Sequence, residues 1–367
     1  MTVPTSPRRP LLDRFPRVQA ALPLLGLAEL PTPLRSLARL GGRLGADLWL
    51  KDDGASSPFY GGNKVRKLEW LLAAAKAAGS KSVMTFGYAG SNHATATAVH
   101  ASRVGLRSVS VLLPQLNAPY LRKNLLVSAA MGAEIHEYPS RAAAAAGSVA
   151  ALLRHRLRDG ARPTIVAPGG SSPLGTIGFV NAAFELAAQV EAGVAPRPAR
   201  IYAAGGSLGT VVGLAIGMAA LGWPTKVVAV RVVDANFVNP TRAAALWAKT
   251  VARLRAADPG FPALAVEEGR IEFRDEFFGG RYALVTPASD EARRLAAGEE
   301  GLDLDITYTA KALACVVADA RSGRLGGGPA LFWNTCNGAD LSAVAARATP
   351  GDLPGRLRRY FEEAGEA

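Results

Sequence analysis

Apolar segments of strand length alternate with Ala-rich helical stretches along most of this chain. The segments ADLWL (46–50), SVMTFG (82–87), SVSVLL (108–113), TIVAPGG (164–170), RIYAAGG (200–206), KVVAVRV (226–232) and PALFWN (329–334) are separated by helical patterns such as 64–79 and 172–193. Short runs rich in Val and Ile, bracketed by helices, predict βαβ units whose mainly parallel sheets are covered on both faces. An α/β fold follows. Ligands of such folds gather at the carboxyl ends of strands, so chemistry is sought in the strand-to-helix turns.

Three of those turns carry residues suited to chemistry. Gly205-Gly206-Ser207-Leu208-Gly209-Thr210 ends an apolar strand and opens the helical run 210–221. Glycines there let backbone amides crowd toward an anion, the helix adds its positive end, and Ser207 and Thr210 can donate hydroxyls, which makes a phosphate cup. The same turn also suits tight strand–helix packing alone, and it lacks both the Walker lysine and the dinucleotide glycine spacing. Gly61-Gly62-Asn63-Lys64 places an amine where a turn enters a helix, a position that eases its deprotonation. A solvated basic helix face formed by Lys64, Arg66 and Lys67 is the alternative, with Lys67 as the fallback amine. Gly90-Ser91-Asn92-His93 opens a third helix. Ser91 suits its N-cap, and the first-turn amides suit a carboxylate.

Composition removes other classes of function. A hydrophobic fraction of 49 % with 20 % charged residues excludes disorder. The net charge of +12 is scattered in short runs, Arg8-Arg9, Arg293-Arg294 and Arg356 to Arg359, so no nucleic-acid surface is expected. Two cysteines, Cys315 and Cys336, cannot build a disulfide framework, and four scattered histidines at 93, 100, 136 and 155 give no metal-ligand pattern. Asp13 and Arg14 break the apolar run that begins at Leu11-Leu12 behind Arg8-Arg9, and no run of 18 apolar residues occurs, so neither a secretion signal nor a membrane partner is expected. A cytoplasmic protein is the expectation.

Taken together, the turns resemble those of the fold-type II, tryptophan synthase β-like pyridoxal-phosphate enzymes, specifically the D-cysteine desulfhydrase/ACC deaminase family. The resemblance runs from Leu34 to about Leu341 and rests on GGNKVRKLEWL (61–71), SNH (91–93), PGGSSPLGTIGFV (168–180), the loop 205–210 and Tyr308-Thr309-Ala310-Lys311-Ala312. It implies pyridoxal 5'-phosphate as cofactor, held as a Schiff base by Lys64, which then shuttles the α-proton. It further implies that Asn92 contacts the ring 3-oxygen, that Gly206, Ser207, Leu208, Gly209 and Thr210 cradle the phosphate, and that Tyr308 lies against the ring. Ser91, Asn92, His93 and Tyr282 would face a small amino-acid substrate, with Ser91 and Tyr282 among the catalytic residues. Two α/β domains are implied, 1–66 with 171–367 as the large one and 67–170 as the small one, in a homodimer.

Position 309 bears on the reaction. ACC deaminases carry glutamate after the ring tyrosine, whereas Thr309 is the desulfhydrase residue; a hydroxyl is expected to leave the ring nitrogen neutral and to favour β-elimination to a keto acid, ammonia and, from cysteine, sulfide. ACC deamination, cysteate desulfonation, β-replacement and a non-catalytic cofactor-binding role remain as alternatives. Two departures touch the substrate side: the family's G-x-Q-S-N-[HQ]-x-R turn loses its glutamine and arginine in Tyr88-Ala89-Gly90-Ser91-Asn92-His93-Ala94-Thr95, and its H-T-G-G becomes Asn334-Thr335-Cys336-Asn337.

Overall fold

A computed structural model describes residues 9–362. Arg8 of the Arg8-Arg9 pair lies outside the described residues. Ten strands form two sheets. The first has the order β1-β2-β10-β7-β8-β9, from β1 (Leu34–Ser36), β2 (Leu48–Asp52), β7 (Arg200–Gly205), β8 (Lys226–Arg231), β9 (Ile271–Arg274) and β10 (Ala330–Asn334); β1 alone runs antiparallel to its neighbour. The second is wholly parallel and has the order β5-β4-β3-β6, from β3 (Ser82–Tyr88), β4 (Arg107–Leu113), β5 (Glu134–Glu137) and β6 (Thr164–Val166).

The expected strands are present. That at 164–170 ends at Val166, because Pro168 lacks a ladder donor and Gly169 and Gly170 turn the chain at positive φ. All four strands of the second sheet lie between 82 and 166, and the boundary expected at 66/67 falls inside the helix Asn63–Ala77.

That helix and two others, Pro173–Glu191 and Gly209–Ala220, are buried almost all round; the last two are too apolar for a surface stripe, whereas the first buries the charged side chains Arg66, Lys67 and Glu69. Close approach fixes their packing. A Cβ at Gly178 would stand 2.1 Å from the carbonyl oxygen of Arg66, and one at Gly217 would stand 2.3 Å from the Ala183 Cβ. Among the described residues no helix is long and apolar enough to cross a membrane.

Candidate active site

β2, β10 and β7 are parallel neighbours, so the segments leaving Asp52, Asn334 and Gly205 emerge along one edge of the larger sheet. They line a small cavity that opens to solvent. Tyr60, Gly61, Asn63 and Lys64 come from the segment after β2, Gly206 and Ser207 from that after β7, and Thr335 and Asn337 from that after β10. Asn92 enters from the other sheet, and Asp305 and Tyr308 complete the wall. Five residues singled out in the sequence, Lys64, Asn92, Gly206, Ser207 and Tyr308, thus meet in one place.

The solvated basic helix face is not what forms. Arg66 and Lys67 are fully buried, and Lys64 opens onto the cavity. Arg66 turns away from it, to Asp53 at 2.8 Å and Glu185 at 2.9 Å, and Glu185 also takes Lys51 at 2.6 Å. Lys64 and Lys67 form no ion pair among the described residues. Burial lowers the Lys64 pKa to about 8, against a partial opposing pull from Asp305, so the neutral amine that a Schiff base needs is accessible near neutral pH. Lys67 lies still further below its ordinary value, first through burial and then through Lys64.

Lys67 Nζ donates to the Gly169 carbonyl at 3.1 Å and to Ser171 Oγ at 3.4 Å, close to the mouth of the glycine loop. A Cβ at Gly209 would stand 3.0 Å from Lys67 Nζ, and one at Gly206 would stand 2.7 Å from the Tyr308 ring. Side chains at either position would fill the cradle. The Gly209 amide donates to Ser171 Oγ at 2.9 Å, and buried Thr210 accepts from Asn63 Nδ2 at 3.0 Å, while the Leu208 side chain packs into the core.

Asn92 is oriented by its neighbours. Its Oδ1 accepts from Tyr60 Oη at 3.2 Å and from Asn124 Nδ2 at 2.8 Å, which leaves its own Nδ2 as a donor on the cavity wall. Ser91 is the N-cap, with Oγ accepting the Ala94 amide at 3.2 Å. His93 is buried, and neither ring nitrogen makes a hydrogen bond of good geometry, although the Ala167 carbonyl lies near enough to favour the protonated ring slightly. Burial first, then Lys64 and Lys67, hold His93 well below its usual pKa, so it stands neutral beside the cavity rather than on its wall.

Tyr282 reaches the site through Tyr308. Their hydroxyls are hydrogen-bonded, and Tyr88 stacks on Tyr282 with ring centroids 4.6 Å apart. Burial raises the pKa of both phenols, so they remain neutral donors. Thr309 is fully buried, and its hydroxyl donates to Asp305 Oδ2 at 2.7 Å.

The profile of the family described as pyridoxal-phosphate dependent enzyme matches residues 25–335. This chain belongs to that family. It is 34 % identical over 329 residues to the D-cysteine desulfhydrase of Salmonella schwarzengrund (strain CVM19633), covering 88 % of this chain and 94 % of that protein. It is 32 % identical over 347 residues to the nocardicin C-9' epimerase of Nocardia uniformis subsp. tsuyamanensis, covering 93 % and 99 %. A crystal structure titled as an ACC deaminase homologue superposes with a TM-score of 0.75 at 28 % identity, covering 94 % of this chain and 98 % of that one. The chain is therefore a pyridoxal-phosphate-dependent enzyme of fold type II, similar to proteins named D-cysteine desulfhydrase and ACC deaminase homologue.

Several wall residues escape a reading of motifs. Asp305 carries a usable signal, since an acid a few residues before a helix start marks an N-terminal cap: its carboxylate accepts the backbone amides of Thr307 at 3.0 Å and Tyr308 at 2.6 Å. Asn337 and Thr335 belong to the Asn334-Thr335-Cys336-Asn337 stretch already marked as a departure on the substrate side.

Proposed function

We propose that the chain is a lyase that performs α,β-elimination on a small amino acid, in the manner of a D-cysteine desulfhydrase. The observation that carries this reading is the half-buried Lys64 amine, without an ion-pair partner among the described residues, facing a glycine cradle backed by a second such amine, Lys67. The cradle, the cation and the free Asn92 donor suit the phosphate, charge and ring oxygen of pyridoxal phosphate.

When bound, pyridoxal phosphate supplies an aldehyde for the Lys64 amine and a ring that accepts the electron pair left on Cα. The amides of 206–210 and Lys67 bind the anionic tail. Asn92 Nδ2 orients the ring oxygen, and Tyr308 with Tyr282 closes one wall against water. Ser91 and its neighbouring first-turn amides receive the substrate carboxylate. Lys64 Nζ takes the α-proton, the Cβ–S bond breaks with its electrons leaving on sulfur, and water completes conversion of D-cysteine to pyruvate, ammonia and sulfide. We keep a cytoplasmic homodimer as the setting, and the two sheets as the cores of the large and small domains.

Ammonia, keto acid and sulfide are to be measured over a panel of D- and L-amino acids. Sulfide and pyruvate in equal amounts from D-cysteine support the reading, and release of neither rejects it. Lys64→Ala is expected to abolish the visible absorbance of the bound cofactor; a band that survives unchanged removes Lys64 from this role.

The extent of the match to an epimerase, together with the Tyr282–Tyr308 hydroxyl pair as a second proton-transfer group, favours racemisation as the second reading. It predicts exchange of the α-hydrogen with solvent and appearance of the opposite enantiomer without ammonia.

A further inference from the structure

The turn after β3 carries Gly90, without a side chain, and Gln115 and Tyr120 occupy the space that a side chain there would take. A Cβ at Gly90 would stand 2.9 Å from Gln115 Nε2, 2.9 Å from Tyr120 Cε2 and 3.0 Å from Leu121 Cβ. Gln115 reaches in from the segment after β4, and its Oε1 accepts the Gly90 amide at 2.9 Å. Asn124 Nδ2 holds the other end of the same residue, donating to the Gly90 carbonyl at 3.0 Å.

From that anchored position, Gln115 Nε2 donates to the Tyr120 hydroxyl at 2.9 Å, and Thr307 Oγ1 donates to the same oxygen at 3.2 Å. Both lone pairs of the phenol are then occupied, so its proton has no acceptor left within the pair; even if the two hydroxyls exchanged roles, one proton would remain over. Thr307 is fully buried, whereas Tyr120 lines a wide cleft that shares Tyr60, Asn92, Asp305 and Asn337 with the cavity.

We propose that Gln115 and Tyr120 form a recognition pair for an acceptor oxygen of the substrate, its carboxylate first. Tyr120 is the donor, and Gln115 is the positioning residue that takes the place of the side chain missing at Gly90 and aims the phenol into the cleft. This rests on the reading of the cavity as an amino-acid site.

The test uses the holoenzyme and the change in its visible band on titration with alanine of each hand and, separately, with ethylamine, which has the amine but no carboxylate. Tyr120→Phe and Gln115→Ala should each raise the half-saturating alanine concentration about tenfold, the typical worth of one hydrogen bond to a charged group, and leave ethylamine unaffected. The double variant should be no worse than either single one, because the two act as a unit. Equal losses for alanine and ethylamine, or an unaltered alanine response in Tyr120→Phe, overturn the proposal. Tyr120→Phe keeps the ring packed against Gly90, so it decides the matter even if Gln115→Ala does not fold. If neither hand of alanine perturbs the wild-type band, the amino-acid reading itself fails, and this inference with it.

Discussion

The helix Asn63–Ala77 buries cations on two sides and treats them in opposite ways. On one side Arg66 is matched by Asp53 and Glu185, with Lys51 joining the same cluster and Thr32 and Trp333 supplying further hydrogen bonds. On the other, the company of Lys64 and Lys67 among the described residues is a carbonyl, a hydroxyl, the Phe179 ring 5.7 Å from Lys67 Nζ and, for Lys64, the pull of Asp305. Desolvation acts on both sides; compensation exists on one. A matched cluster holds the helix in place, and an unmatched pair keeps its chemistry available for an anion and an aldehyde.

The largest effect should come from breaking the matched side. Glu185→Ala leaves Lys51 without its carboxylate and Arg66 with one acid instead of two, all in full burial, and should destabilise the protein by about 3–5 kcal/mol. Urea unfolding of the apo-protein measures it. Pairing that change with Lys51→Met should recover much of the loss, and a double variant no more stable than Glu185→Ala would show that the cluster is not held by charge matching.

The unmatched side should respond with the opposite sign. Lys67→Met removes a buried amine whose charged form burial disfavours and keeps most of the volume, so the apo-protein should gain about 1 kcal/mol, whereas affinity for pyridoxal phosphate should fall about a hundredfold through loss of an amine that takes up a proton beside the phosphate. Unfolding curves and spectroscopic titration read the two quantities separately. A variant that loses stability while binding the cofactor normally would place Lys67 among the structural cations.

The same contrast explains what could be read from residue order. The phosphate loop, the Lys64 turn and the Ser91-Asn92 turn are contiguous, and each needs glycine or a cap at a fixed offset from a strand end, so their chemistry is visible locally. Asp305, Asn337, Tyr60 and Gln115 are ordinary polar residues that become wall or support only because β2, β10 and β7 adjoin and the second sheet faces them. Residue order leaves a solvated basic helix face open as an alternative for a related reason: the partners Asp53 and Glu185 lie 13 and 119 residues away from Arg66. Among strands, those not apparent in the sequence, β1, β5 and β9, are all sheet edges; LRS, EIHE and IEFR carry the charges that edges tolerate and that hide an apolar run.

The smallest effect on cofactor binding, and the one that most directly sharpens the contrast, is the titration of Lys64. Its folded pKa of about 8 lies below the ordinary 10.5, so the unfolded chain holds the proton more tightly. The amine therefore weakens the apo-protein fully below about pH 8, and that penalty disappears as pH rises from 8 toward 10.5. Relative to Lys64→Met, the wild-type apo-protein should become more stable across this window. Capture of pyridoxal phosphate should quicken about fivefold between pH 7 and 8 as the neutral fraction grows, and level off above it. Arg66, fixed by two carboxylates, contributes nothing to either curve. A capture rate still climbing steeply beyond pH 9 would mean that the cavity holds Lys64 as an ordinary solvated amine, and the distinction between the two sides of the helix would lose its physical basis.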